Sequence, residues 1–198
     1  MKIEFDIKGI FFSITTKGGF RLIILRRPYI KVKGITSRCK DGSHVLFLEF
    51  DSTFRWLVED YARIVQHKYK LPTIYMIRSS VGKYENGQET GNYHLISPAK
   101  LTVGLISEIQ QFVPIDRNFK FAWVYNFWKS WVLRTSWKGV KKPPIFIGLI
   151  KGRDAGKYQI STVHKMFMEK YYNAPKVKYK REDGEDKLFY CTYKTAHK

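Results

Sequence analysis

Cysteine is nearly absent from this 198-residue chain: Cys39 and Cys191 are the only two. That excludes a disulfide framework, and with neither at metal-ligand spacing from a second Cys or a His it excludes a structural zinc site. No stretch rich in Pro, Gly and Ser separates two parts, and no internal repeat recurs. No apolar run approaches the ~18 residues of a membrane span. The opening residues Met1-Lys2-Ile3-Glu4-Phe5-Asp6 put charges where the apolar stretch of a secretory signal would stand. Acid is scarce, with 17 Asp and Glu against 36 Lys and Arg. These absences lead us to expect one cytoplasmic, intracellular domain with no membrane partner.

What is present is a core and a charge. Hydrophobic residues make up 44% of the chain and aromatic residues 16%, which separates it from a disordered basic tail. The net charge is +19. A field of that sign attracts polyanions and releases their counterions, and for an intracellular protein the usual polyanion is nucleic acid. The competing reading is a protein merely soluble in a salty cell.

The pattern predicts an α+β fold with a mixed central β-sheet, a βαβ unit and flanking helices, forming a single domain over 1–198. It divides into a β-rich part (1–43), a motif-bearing core (44–150) and a C-terminal helix and hairpin (151–198). Gly9 to Thr16 and Phe20 to Arg26 read as a hairpin joined by Lys17-Gly18-Gly19, and Tyr29 to Lys33 as an edge strand. The continuous apolar run His44 to Asp51 predicts a central strand covered on both faces. The stripe Phe54, Leu57, Val58, Tyr61, Ile64, Val65 predicts a helix from Ser52 to Tyr69, and Pro72 to Ser79 a second strand. Such a unit leaves both strand ends on one sheet edge, where ligands gather. A glycine-containing loop, Ser80 to Gly91, is then expected to lead to a short strand Tyr93 to Ile96. Ser97-Pro98 reads as the start of a helix bearing Leu101, Leu105, Ile106, Ile109 and Phe112. Residues 121–135 and 144–150 read as strands, Val163 to Tyr171 as a helix, and Asp183-Gly184 as the turn of a closing hairpin between 177–179 and 188–190.

Glu49 and Asp51, two apart on a strand, share a face, and two adjacent anions call for a cation. Oxygen ligands alone favour Mg2+ or Mn2+. The competing reading makes Asp51 a helix N-cap and Glu49 a solvated residue. His94 beside such carboxylates can hold a phosphate, or is a satisfied core histidine. Asp116, after Val113-Pro114-Ile115, offers a third metal oxygen, or is an ordinary turn residue. Arg134, Ser136 and Lys138 alternate along an expected strand and suit a triphosphate. From Arg117 to Lys142 there are seven basic residues (Arg117, Lys120, Lys129, Arg134, Lys138, Lys141, Lys142), no acid and four of five tryptophans. That mixture suits nucleic acid, although aromatic strand residues usually pack in the core. Lys176, Lys178, Lys180 and Arg181 form a second basic cluster.

In order, Leu48-Glu49-Phe50-Asp51, Gly91-Asn92-Tyr93-His94-Leu95, Ile115-Asp116 and Leu133-Arg134-Thr135-Ser136-Trp137-Lys138 resemble the motifs of the archaeo-eukaryotic primase superfamily. The resemblance covers about residues 40–140. It departs from the family pattern at Glu49, commonly aspartate there, and at Asn92, often serine; no cysteine-rich module or Gly-x-x-x-x-Gly-Lys-Ser/Thr loop accompanies it.

The resemblance implies a primase-polymerase domain, a nucleotidyltransferase acting in replication of a plasmid, virus or archaeal-type host. Glu49, Asp51 and Asp116 would hold two Mg2+ or Mn2+ ions, with His94 as a further catalytic-site residue. His94, Arg134, Ser136 and Lys138 would bind nucleoside triphosphate. The remaining basic residues would track single-stranded DNA template and primer, with a helicase or other replication subunit as a further partner. Two other functions compete: a catalytically inactive, primase-like replication accessory protein, and a sugar-nucleotide transferase, which leaves the +19 charge unexplained.

Overall fold

The computed structural model describes residues 2–7, 10–16, 20–26, 29–85, 88–125, 129–138, 141–153, 156–184 and 187–196. They form an α+β fold. Strands β1 (Lys2–Ile7), β2 (Ile10–Thr16) and β3 (Phe20–Arg26) make an antiparallel sheet in that order. The expected Lys17-Gly18-Gly19 turn lies outside the described residues, but Thr16 and Phe20 pair across it.

Strand β4 (Tyr29–Thr36) is not the expected edge strand. It lies between β10 (Tyr190–Ala196) and β8 (Val132–Arg134), antiparallel to both. Alternation reports which face is buried, and a middle strand shows it as readily as an edge one. Gly34 permits the close β4–β8 approach, since a Cβ there would stand 2.7 Å from the Leu133 carbonyl oxygen. The pairing of β10 with β4 replaces the expected closing hairpin, because residues 177–179 form no strand. Around Gly184 the chain is tied to the segment before the last helix instead: Ile160 N donates to Arg181 O and Asp183 N to Ile160 O.

The largest sheet has the order β5-β7-β6-β9, formed by β5 (His44–Phe54), β6 (Ile74–Glu85), β7 (Gln88–Leu101) and β9 (Ile145–Ile150). Helix α1 (Arg55–Tyr69) connects β5 to β6 as expected, but β7 inserts between them, antiparallel to each. The pairings among named strands are therefore all antiparallel, and the expected mixed sheet is corrected. The expected loop at 80–91 is mostly the two arms of the β6–β7 hairpin. Antiparallel strands need only such a turn, so the returning arm occupies the place beside β5.

Strand β5 is an edge strand of this sheet, not the central one. Its apolar run arises because both faces are covered, with Val45 to Leu48 and Phe50 fully buried. Its outer edge is paired without a strand. Val45 N donates to Ser37 O, Phe47 O accepts from Gln110 Nε2, and Glu49 O accepts from Asp116 N.

Ser97-Pro98 belongs to β7, not to a helix. Leu46 pairs with Ser97 and Val45 with Lys100, so β7 bulges at Pro98, where a missing N–H costs no ladder bond. Helix α2 (Val103–Phe112) starts after Thr102, whose side chain accepts from Leu105 N. Its buried residues include Ile106, Ile109 and Gln110, while Phe112 lies outside beneath the Lys68 ammonium at 4.1 Å. Helix α1 begins at Arg55 rather than Ser52 and buries Val58, Ala62, Val65 and Tyr69, leaving Ile64 exposed. Phe50 stacks on Tyr61 of this helix. On the other face, Phe47 meets His164 of α5 (Thr162–Tyr171) edge to face. The expected strand over 121–135 is not continuous: α4 (Ala122–Tyr125) is a single helical turn, as is α3 (Arg117–Lys120) before it, and among the described residues of that stretch only β8 is a strand.

Candidate active site

The motif residues meet where β5 leaves its sheet. Glu49 pairs with His94 across the β5–β7 ladder, and His94 Nε2 stands 3.4 Å from Glu49 Oε1. Past Phe50 the register shifts, because Ser52 takes a left-handed conformation (φ 49°) and Thr53 resumes pairing with Gly91. The Asn92 side chain accepts from Ser52 N at 2.9 Å and so holds this bulge. That is a role for Asn92 which its divergence from serine did not signal. Asp51 thus projects, exposed, at the bulge. It is not a helix N-cap, since α1 is capped at Phe54 with no side-chain bond.

The segment between α2 and α3 supplies the third carboxylate. Asp116 N donates to Glu49 O at 3.3 Å, so the two backbones are neighbours. Asp116 Oδ1 also accepts from Phe119 N at 2.9 Å, which makes this residue the N-cap of α3. Electrostatics shows two of the acids acting on the third. Burial, then the charges of Glu49 and Asp116, push the Asp51 carboxyl above its ordinary value. Burial pushes Glu49 up as well, but the hydrogen bond and charge of His94, followed by the charges of Lys138 and Arg134, more than offset it. Glu49 therefore lies below the usual carboxylate range.

His94 is 2% exposed, and its Nδ1 has no hydrogen-bond partner among the described residues. Among those residues no group of three or more His, Cys, Asp and Glu is already drawn together as a metal site. The side-chain atoms that Glu49, Asp51 and Asp116 could offer a cation are all oxygen, the type a hard divalent ion prefers.

Arg134 belongs to the neighbourhood but faces inward. Its guanidinium, 9% exposed with the residue as a whole, donates to three backbone carbonyls: Ser136 O at 2.7 Å, Lys142 O at 2.8 Å and Ser79 O at 2.6 Å. Strand β8 ends at Arg134, so Ser136 and Lys138 do not continue an alternating row. Ser136 Oγ accepts from Lys33 N, and Lys138 and Lys141 exchange backbone hydrogen bonds. Lys141 acts on Asp51 through its charge.

The other basic residues divide. Arg117 follows Asp116 and is exposed; Lys120 ends α3; Lys129 Nζ donates to Val124 O; Lys142 is exposed. The second cluster is anchored elsewhere. Lys176, Lys178, Lys180 and Arg181 are exposed on a segment tied through Val177 N to Glu169 and through Tyr179 OH to Tyr75 OH. The tryptophans divide too: Trp131 is fully buried against His44, whereas Trp56 and Trp137 are about half exposed. The side chains of Trp123 and Trp128 lie outside the described residues. A groove of about 570 Å³ beside Met166, Phe167, Tyr171 and Tyr190 includes none of the motif residues. Among the described residues no helix is long and apolar enough to cross a membrane.

Comparison with protein-family models, with curated proteins and with solved structures finds no match for this chain.

Proposed function

We propose that this chain is a metal-dependent, template-directed nucleotidyltransferase of primase-polymerase type, acting on nucleoside triphosphates in the cytoplasm. One observation carries the reading. The Asp116 N–H bond to Glu49 O, made between distant parts of the chain, brings the third acid beside Glu49, and the charges of these two raise Asp51. The repulsion that raises Asp51 is a cost that a bound cation would remove, and the lysines nearby suit phosphate.

In this reading Glu49, Asp51 and Asp116 would hold Mg2+ or Mn2+. Bound there, the ions would lower the pKa of the attacking 3′-hydroxyl and neutralise the triphosphate as pyrophosphate leaves. His94, with its unpaired buried Nδ1, would orient a phosphate oxygen, and Lys138 and Lys141 would balance the negative charge that nucleotide brings. The 3′-oxygen bonds to the α-phosphorus, the bond to the β-phosphate bridge breaks, and the hydroxyl proton passes to water. Arg134 contributes by holding Ser136 and Lys142 rather than by touching phosphate.

The test is manganese-dependent incorporation of labelled nucleotide on a primed single-stranded template. Asp51→Asn and Asp116→Asn should abolish it while unfolding at nearly wild-type denaturant, because Asn retains the cap at position 116. Incorporation by either variant at the wild-type rate overturns the assignment.

One observation favours the accessory-protein reading. Glu49 already has His94, Lys138 and Arg134 as compensating charges, so it needs no metal for balance. A wild-type chain that binds single strands but incorporates nothing with manganese or magnesium selects that reading.

A further inference from the structure

The described residues after β8 are tied down at two points. Arg134 Nη1 bonds Ser136 O at one foot and Lys142 O at the other, while Nη2 bonds Ser79 O of β6, so one buried guanidinium fastens both feet to the large sheet. Lys33 reinforces one side: its N–H donates to Ser136 Oγ at 2.8 Å, and its carbonyl accepts from Thr135 N at 3.0 Å. Higher up, Lys138 and Lys141 are held together by reciprocal backbone bonds of 3.1 Å.

On this frame the Trp137 indole is left 54% exposed, whereas Trp131, six residues earlier, is fully buried. Exposing a large aromatic forgoes hydrophobic stabilisation, and here it stands between hydrogen-bonded neighbours, Ser136 and Lys138. Lys141 and Lys142 are exposed beside it, and no acid occurs from Arg117 to Lys142. The charges of Lys138 and Lys141 reach Glu49 and Asp51, so this segment borders the carboxylate edge.

We infer that Trp137 is a stacking platform for an unpaired base of single-stranded nucleic acid, with Lys141 and Lys142 taking the flanking phosphates. A flat π-face with ammonium groups at its side matches a nucleotide of either sugar, and only an unpaired base exposes a face to it. A protein partner for the same surface would need acidic residues opposite three lysines; the polyanion already indicated by the net charge supplies that complement without them. The inference rests on the proposed function for the destination of the strand, because it places that strand at the mouth of the carboxylate site.

The test is equilibrium binding of a fluorescent single-stranded 12-mer in chelator, with no nucleotide present. Trp137→Ala should weaken binding about 5- to 100-fold. Trp137→Phe should recover most of the loss, and an abasic 12-mer of the same length should bind wild type and Trp137→Ala alike. Lys141→Gln should instead lower the slope of log affinity against log salt by about 0.7. Binding by Trp137→Ala within twofold of wild type overturns the inference. So does an equal loss on the base-bearing and abasic strands, which would mean collapse of this segment, and so does a Trp137-dependent preference for duplex. Because the assay contains no metal, a wild type that shows the stacking effect but incorporates no nucleotide refutes the proposed function alone. Incorporation together with unchanged binding by Trp137→Ala refutes this inference alone.

Discussion

Replacing Arg134 by Met keeps most of the buried aliphatic stem and deletes three charge-assisted hydrogen bonds. Each such bond contributes about 1.5–3 kcal/mol when both partners are withheld from water. They are not equal here. Lys142 is exposed and Ser136 partly so, and their carbonyls can turn to solvent, whereas Ser79 is 7% exposed and its carbonyl has fewer alternatives. Removing the guanidinium also relieves the cost of burying a charge. The net loss expected is about 3 kcal/mol, most of it from Ser79. In urea, with a slope of about 2–3 kcal/mol/M for a chain of this size, the unfolding midpoint should fall by about 1–1.5 M. Arg134→Lys should lose more than half as much, because a point charge cannot bridge three carbonyls fixed in different directions. This differs from the sequence expectation, in which Arg134 grips triphosphate and its loss lowers nucleotide affinity more than template affinity. A midpoint within about 0.3 M of wild type, accompanied by weaker nucleotide binding, would restore that expectation and refute the structural role.

Two further outcomes follow from charge and burial. His164 is fully buried, with Ser161 Oγ at 2.7 Å and Thr36 O at 2.9 Å, and burial lowers its imidazole to about 4 from the usual 6.5. Its folded value lies below its unfolded one, so the unfolded chain takes the proton first. Stability should fall as pH drops from about 6.5 through 4, by about 2–3 kcal/mol at pH 4.5, and His164→Gln should lose that part of the slope in urea midpoints taken at pH 7.5 and 4.5. Single-strand affinity should fall about 300-fold between 50 and 200 mM salt if about six phosphates are contacted, and a flat dependence measured by anisotropy would remove the electrostatic premise.

The apolar run Val45–Phe50 reveals a strand buried on both faces, because burial is what makes such a run tolerable. It does not reveal whether that strand is central. The partners of β5's outer edge are Ser37 O, Gln110 Nε2 and Asp116 N, an irregular set with no period to detect. Ser97-Pro98 fails for a related reason. A Ser before a Pro serves a helix start or a strand bulge equally well, and the choice was made by Val45 and Leu46 on another strand. For the helices, the periodicity locates α1 and α5 to within a few residues. It places Ile64 and Phe112 on buried faces, while the fold covers Ala62 and Gln110 instead.

At the site the acids were more legible than the cations, and the difference is physical. A carboxylate on a short side chain stays close to its backbone, so the pairing of Glu49 with His94 and the backbone bond to Asp116 largely fix where the charges meet. Arginine reaches about two or three bonds further, and its planar fork can satisfy itself on carbonyls of any segment within that reach. Alternation therefore placed the backbone of Arg134 near the acids while saying nothing of its guanidinium, which turned to Ser79, Ser136 and Lys142. The same limit separates Trp131 from Trp137: they occupy one basic, acid-free segment, yet one lies on the buried face beside His44 and the other past the end of β8. Where a strand stops decides whether an aromatic becomes core or surface. Here the stop is marked by Arg134, the last residue of β8, whose buried charge then holds Ser136 and Lys142 beside the carboxylates.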